Sequence, residues 1–343
     1  TGAIQIWMNQ DATTQIDGFP FSPLKIDLTS DPCVIFRTQT RILCKPAIAG
    51  QTIAFVAGLI RPGLQPGEER GRGILFLTQP GQVPTVAVAN VTGQPGVTLP
   101  VQPRPGVFFR RFFAPRLTGS LSGSTPGSIV FLAQTNVEPA GVYARPFRTF
   151  SPPLTHSIVT IAQATTCAFS TNSSPNISIA PPVGQPCVGS PVPDFSPPHH
   201  FGDFYDIATD RETVYFVGKG VSRSSPSTMY GIYKSDTVGS PLRKVVDVAT
   251  LIPGTTIPFK CFLEVSAKNG NVFFTGATTP CTTSSVFGVY LYTSAGVRKI
   301  LAPGDTLDGK TVRDVEINND SAGDGFLVMR VSFDSGKAIY QVQ

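Results

Sequence analysis

"RKILAPGDTLDGKTVRDVEIN", residues 298–318, holds a short apolar run, a Pro-Gly-Asp turn, an Asp-Gly turn and then an alternating run. Turn residues packed this densely between alternating runs mark short strands that are joined tightly. The pattern has a counterpart upstream, because "LRKVVDVATLIPG" from Leu242 matches "VRKILAPGDTLDG" from Val297. The stretch is therefore the last strand of one unit and the connection into the next.

Working outward, three further stretches line up. "DIATDRETVYFVGKG" from Asp206, "EVSAKNGNVFFTGAT" from Glu264 and "EINNDSAGDGFLVMR" from Glu316 each read as strand, polar turn, strand, with Ile207, Val265 and Ile317 in register. A third strand follows each: "YGIYKSD" from Tyr230, "FGVYLYTS" from Phe287 and "KAIYQVQ" from Lys337. Four strands recurring every 50-odd residues, roughly the length of one blade, are the signature of β-propeller blades. Looser units lie upstream, in "GQTIAFVAG", "GRGILFLTQ" and "TVAVANV" from 50 to 91, and in "GSIVFLAQT", "GVYARPF" and "SIVTIAQA" from 127 to 164, whose first strand is expected within Phe112–Thr118. The expectation is one all-β domain over 1–343, a β-propeller with blades at 41–91, 112–164, 204–250, 261–302 and 313–343. Segment 1–40 leaves a partial sixth blade open. The last unit stops at its third strand, so an N-terminal strand such as Ala3–Trp7 is expected to close the ring, which removes exposed sheet edges.

Composition agrees. The 33 Gly and 32 Pro supply turns, and 24 Phe with 8 Tyr supply a core that a disordered chain lacks. Net charge is only +5, without a basic block, which disfavours nucleic acid as a partner. No apolar run approaches the length of a membrane-spanning helix. The chain opens at Thr1 rather than Met, as either a processed mature terminus or a trimmed chain would.

Six cysteines, Cys33, Cys44, Cys167, Cys187, Cys261 and Cys281, fall into sequential pairs 11, 20 and 20 residues apart. No CxxC occurs and there are three His, which disfavours zinc. Three local disulfides are the economical reading among 15 formal connectivities. Blade topology favours Cys261–Cys281 in particular, since the start of a first strand meets the loop after the second. Asn90, Asn172, Asn176 and Asn319 head glycosylation sequons, and together with the cysteines they point to an oxidising, extracellular or cell-surface setting.

"APGDTLDGKTV" and "VEINNDSAGDGFLVMRVSFDSGKAIYQV" resemble repeats of exported bacterial proteins of unknown function, which carry a Gly-Asp-x-x-Pro/Asp-Gly turn and a G(I/V)Y strand and are taken to be β-propellers. The likeness rests on Pro303, Gly304, Asp305, Asp308, Gly309 and Gly336–Tyr340, covers 200–343 well and fades over 1–200. It implies architecture and export, and no reaction.

Candidate chemistry is sparse. Asp206, Glu264 and Glu316 each precede an aligned Ile or Val, so they sit on innermost strands; such carboxylates serve a cation, a sugar or acid–base work, or simply line a wall. "RPGVFFRRFFAPR" sets Arg104, Arg110, Arg111 and Arg116 among four Phe, which suits an acidic polysaccharide or a subunit contact, or a strand with Phe inward and Arg outward. His199 and His200 with Asp203 read as a surface loop rather than a metal site, because adjacent strand residues point oppositely. "NNDSAGDG" at 318–325 reads as a hairpin turn rather than a calcium loop. No nucleophile-elbow, Walker or zincin motif occurs. The leading expectation is thus a non-enzymatic extracellular interaction module without cofactor, contacting protein subunits or surface glycans, in a homo-oligomer or polymer. A lectin-like propeller and a polysaccharide-cleaving propeller are the alternatives.

Overall fold

The structure is a computed structural model that describes residues 13–14, 24–27, 46–49, 52–60, 71–77, 85–90, 107, 109–119, 127–136, 140–146, 158–165, 189–195, 199–221, 228–282 and 284–343. These residues form antiparallel strands, turns and bends, with no helix among them. The chain divides into two compact units, Thr1–Ile161 and Ala162–Gln343.

The first unit carries sheets I and II. Sheet I contains β1 (Thr13–Thr14), β2 (Leu24–Asp27), β3 (Ala47–Ala49), β4 (Thr52–Ile60), β5 (Gly71–Leu77) and β6 (Thr85–Asn90), in the order β1-β2-β4-β5-β6 with β3 on β4. The stretch left open for a sixth blade thus supplies edge strands of sheet I, and five sheets account for the described strands. Ala3–Trp7, Cys33, Cys44, Cys167, Cys187, Arg104, Asn172 and Asn176 lie outside the described residues. Sheet II contains β7 (Phe109–Leu117), β8 (Ser128–Thr135), β9 (Gly141–Pro146) and β10 (Val159–Gln163), paired in sequence order.

The second unit carries two plain four-stranded meanders. Sheet III is β11 (His200–Asp210), β12 (Thr213–Val221), β13 (Thr228–Ser235) and β14 (Leu242–Asp247); sheet IV is β15 (Cys261–Lys268), β16 (Asn271–Ala277), β17 (Gly288–Thr293) and β18 (Gly296–Leu301). Sheet V contains β19 (Thr306–Leu307), β20 (Lys310–Glu316), β21 (Ala322–Gly323), β22 (Phe326–Phe333) and β23 (Gly336–Val342), with β20, β22 and β23 as its long strands.

The turns obey their residues. Lys268 pairs with Asn271 across Asn269-Gly270, both at positive φ, and Leu307 pairs with Lys310 across Asp308-Gly309, also both positive. A two-residue hairpin with this backbone follows the twist of its strands, and Asn-Gly or Asp-Gly reaches it at least cost. In the quoted stretch, Asp305 accepts the N–H of Ala302 at 2.8 Å and Lys299 Nζ at 2.7 Å, while Tyr340 donates its hydroxyl to Asp308 at 2.9 Å. The Asp residues are turn-formers, and the last Tyr ties β23 to them.

Each of sheets II, III and IV is built around the same four rings. Phe109, Phe112, Phe131 and Tyr143 recur as Phe201, Phe204, Phe216 and Tyr233, and again as Phe259, Phe262, Phe274 and Tyr290. In every box the first Phe meets the Tyr edge-on, at 5.0, 4.9 and 4.8 Å between centroids. Edge-to-face pairs are favoured by the ring quadrupole, each worth about 0.5–1.5 kcal/mol beyond burial. Room for the box comes from glycine: a Cβ on Gly218 would stand 2.7 Å from Phe201, and one on Gly276 2.7 Å from Phe259. Between sheets, Tyr230, Ile232 and Val246 of III pack against Phe259, Phe262 and Phe274 of IV, and Val289 and Leu301 of IV join Val312, Val315 and Val331 of V.

Cys261 and Cys281 form a disulfide with Cα atoms 5.1 Å apart, the pairing that blade topology implied. It ties the start of β15 to the loop after β16.

Candidate functional site

The aligned carboxylates are placed where the repeats put them, but their oxygens bind groups of the protein itself. Asp206 is 4% exposed; its Oδ2 accepts the backbone N–H of Val265 at 3.1 Å and its Oδ1 accepts Asn319 Nδ2 at 3.0 Å. One unit on, Glu264 Oε2 accepts the N–H of Ile317 at 3.0 Å. Val265 and Ile317 are the very residues that the repeats align, so Asp206 and Glu264 each fasten their own innermost strand to the next. Glu316 binds Arg330. The same device recurs nearby: Asp210 accepts the N–H of Gly270 at 2.7 Å, and Asp314 that of Phe287 at 2.8 Å. A buried carboxylate that accepts N–H groups of the neighbouring chain segments supports the fold.

The Arg/Phe stretch divides. Phe109, Phe112 and Phe113 are buried on β7, while Arg110 and Arg111 are both exposed because a register shift between Phe109 and Arg111 interrupts the alternation. Arg116 is a correction to the expected patch: it is buried, and its Nη1 donates to the carbonyl of Pro115 at 2.6 Å. The residues thus follow the plainer pattern of Phe inward and Arg outward, with one Arg turned in.

Asn319 is likewise turned in. It is 8% exposed, and the Nδ2 that would carry a glycan is the atom given to Asp206. Asn90 ends β6, in register with Arg72. Within 318–325, Asn318 Oδ1 accepts the N–H of Asp320 at 3.0 Å, and Ser321 Oγ accepts that of Asn318 at 2.8 Å, which makes a side-chain-capped turn. His199 is buried against Phe195 at 5.4 Å, and His200 pairs with Val221. Among the described residues, no three His, Cys, Asp or Glu are grouped to hold a metal.

One cluster escaped the sequence reading. Asp203, Lys219 and Tyr230 stand directly opposite one another across β11, β12 and β13, so they share one face of sheet III. Lys219 Nζ lies 5.9 Å from the centre of the Tyr230 ring. Tyr205 stands beside them, two residues from Asp203 on the same strand, with its ring centre 5.9 Å from that of Tyr230. Asp203, Tyr205 and Lys219 are half-buried. Burial pushes the Asp203 carboxyl up to about 6, offset in part by the N–H of Phe204 and the Lys219 ammonium. Burial and the charge of Asp203 push the Tyr205 phenol up as well. Just past β14, Val248 donates its N–H to the Tyr230 carbonyl at 3.1 Å, and the chain enters a hairpin whose Leu251 and Ile257 are exposed. A titratable carboxyl, an ammonium and the Tyr205 phenol, all half-buried, give donors, acceptors and apolar surface together, with the buried Tyr230 behind them. The signal was present in sequence as Lys219 amid "VYFVGKGV", a charge inside an apolar strand.

No family model matches the chain, and no curated protein matches it. Solved structures do match across most of its length. It is similar to native arabinanase Arb43A of Bacillus subtilis, at 12% identity over 89% of this chain and 96% of that one, with a TM-score of 0.31. It is similar to an α-L-arabinanase of Penicillium chrysogenum complexed with arabinobiose, at 12% identity, 93% and 82% coverage and a TM-score of 0.36. It is also similar to a protein of unknown function from Dyadobacter fermentans, at 11% identity, 88% and 78% coverage and a TM-score of 0.38. At such identities and TM-scores the likeness assigns no activity to the chain, whose described residues are all-β and fall into successive antiparallel sheets. The expectation of a non-enzyme is corrected here. It rested on missing nucleophile–base motifs alone, and the solved structures to which the chain is similar include arabinanases, an arabinofuranosidase and a xylosidase/arabinofuranosidase.

Proposed function

We propose that the chain is a carbohydrate-binding β-propeller that meets its sugar at Asp203, Tyr205 and Lys219, backed by the buried Tyr230. The observation that carries this reading is the row itself: the half-buried phenol ring of Tyr205 offers apolar surface to C–H groups, while the carboxyl and ammonium beside it fix hydroxyls by hydrogen bonds. The Arg/Phe stretch and the aligned carboxylates compete poorly, since their groups are divided or already engaged. The Cys261–Cys281 disulfide supports action in an oxidising, extracellular setting.

A second reading, glycan cleavage, is favoured by one feature. A carboxyl raised to about 6 is part-protonated near neutrality, as a general acid must be. Glycan-array binding by the purified chain tests the first reading, and release of reducing ends from the glycans that bind tests the second. Binding that Tyr205→Ala abolishes supports the site. Silence across a broad array overturns it and leaves the structural-module reading.

A further inference from the structure

Lys219 lacks the partner that an ammonium inside a sheet ordinarily has. Among the described residues it forms no ion pair, although Asp203 faces it in register. Asp203 turns Oδ1 instead to the N–H of Phe204, at 2.9 Å. The flank of Lys219 is covered by the Tyr230 ring, which restrains the side chain and leaves its head for another anion.

Resting on the glycan-binding reading, we propose that this site takes an acidic sugar, one bearing a carboxylate, with Lys219 as its counter-charge and Asp203 entering the complex protonated. An ammonium binds a carboxylate by charge-assisted hydrogen bonds, about twice as strong as neutral ones. The sugar ring then lies against the half-buried phenol of Tyr205, with the buried Tyr230 behind it. An ionised Asp203 would face the incoming carboxylate as a like charge, so binding draws a proton from solvent onto it. Asp203 is primed for that, because burial already pushes its carboxyl up to about 6. The groups facing it are Lys219 from β12, Tyr205 from its own strand and Tyr230 from β13, and of these only Lys219 opposes protonation. The net charge of +5 adds a mild long-range attraction for acidic polymers.

The test uses the full chain and calorimetric titration with oligogalacturonates and with neutral arabinan and xylan oligosaccharides of equal length, from pH 5 to pH 8. The expected result is tighter binding of the uronate series by about tenfold or more, the factor that a charge-assisted bond supplies. Affinity should weaken by up to about tenfold per pH unit above 6, the limit for one linked proton. Uptake of that proton appears as a dependence of the binding heat on the ionisation enthalpy of the buffer. Asp203→Asn should flatten the pH profile, Lys219→Met should erase the uronate preference, and Lys219→Arg should keep it, with folding of each checked by melting. Equal binding of neutral sugars, or a uronate preference that survives Lys219→Met in a folded protein, overturns the inference while leaving the glycan-binding reading in place. Absence of binding to either series overturns both.

Discussion

Replacing Asp206 by Ala removes two acceptors at once. The carboxylate holds the N–H of Val265 at 3.1 Å and the amide of Asn319 at 3.0 Å, and both donors stay buried when it is gone. Hydrogen bonds to charged groups contribute about 1.5–3 kcal/mol each, so the loss is about 3–6 kcal/mol. For a domain of this size each kcal/mol moves Tm by about 2–4 °C, which sets the expected fall near 10–15 °C. Thermal melts followed by circular dichroism at pH 7, with the disulfide intact, read it directly. Asp206→Asn keeps one acceptor and turns an NH2 toward a donor, so it should recover no more than half the loss. A double-mutant cycle with Asn319→Ala should return a coupling energy above about 1 kcal/mol, as for residues in one hydrogen-bonded network. Melting of Asp206→Ala within about 3 °C of the parent, an interval worth only about 1 kcal/mol, would refute the view that these carboxylates fasten the sheets.

Other expectations can be checked independently. Phe259→Ala empties one position of a four-ring box and should cost about 3–5 kcal/mol, with Phe201→Ala matching it closely in denaturant titrations because the two boxes are built alike. Reduction of Cys261–Cys281, which closes a loop of 20 residues, should cost about 3 kcal/mol by loop entropy, read as a lower midpoint in reductant. The Asp203 carboxyl is raised from 3.8 to about 6 in the folded chain, so the folded state binds more protons than the unfolded between those values and stability falls as pH rises through that window. Asp203→Asn should therefore gain about 1–3 kcal/mol at pH 7 and little at pH 4, measured by urea melts at both. Peptide mass spectrometry of material from a glycosylating host should find Asn319 bare, since its Nδ2 is buried in the bond to Asp206.

The architecture was legible because strand period and turn chemistry are local. "VRKILAPGDTLDG" announces its own hairpin, and the alignment of Ile207, Val265 and Ile317 sets the unit. The carboxylates at the preceding positions were found for the same reason. What they bind could not be read, since an acceptor facing solvent and one facing a neighbouring N–H leave identical sequence. The disulfide followed from topology, as two ends of one hairpin must meet. Register shifts were invisible: one exposes both Arg110 and Arg111. The row at Asp203 draws one residue from each of three strands, so no spacing in the chain marks it. Only the misplaced charge of Lys219 hinted at it.

The sharpest comparison sets the aligned carboxylates against that row. Glu264→Gln and Tyr205→Ala, each folded at the assay temperature, are compared with the parent chain on one glycan array. The account predicts parent-like binding by Glu264→Gln, whose side chain serves Ile317, and loss of binding by Tyr205→Ala. Loss in Glu264→Gln with binding kept in Tyr205→Ala would contradict it.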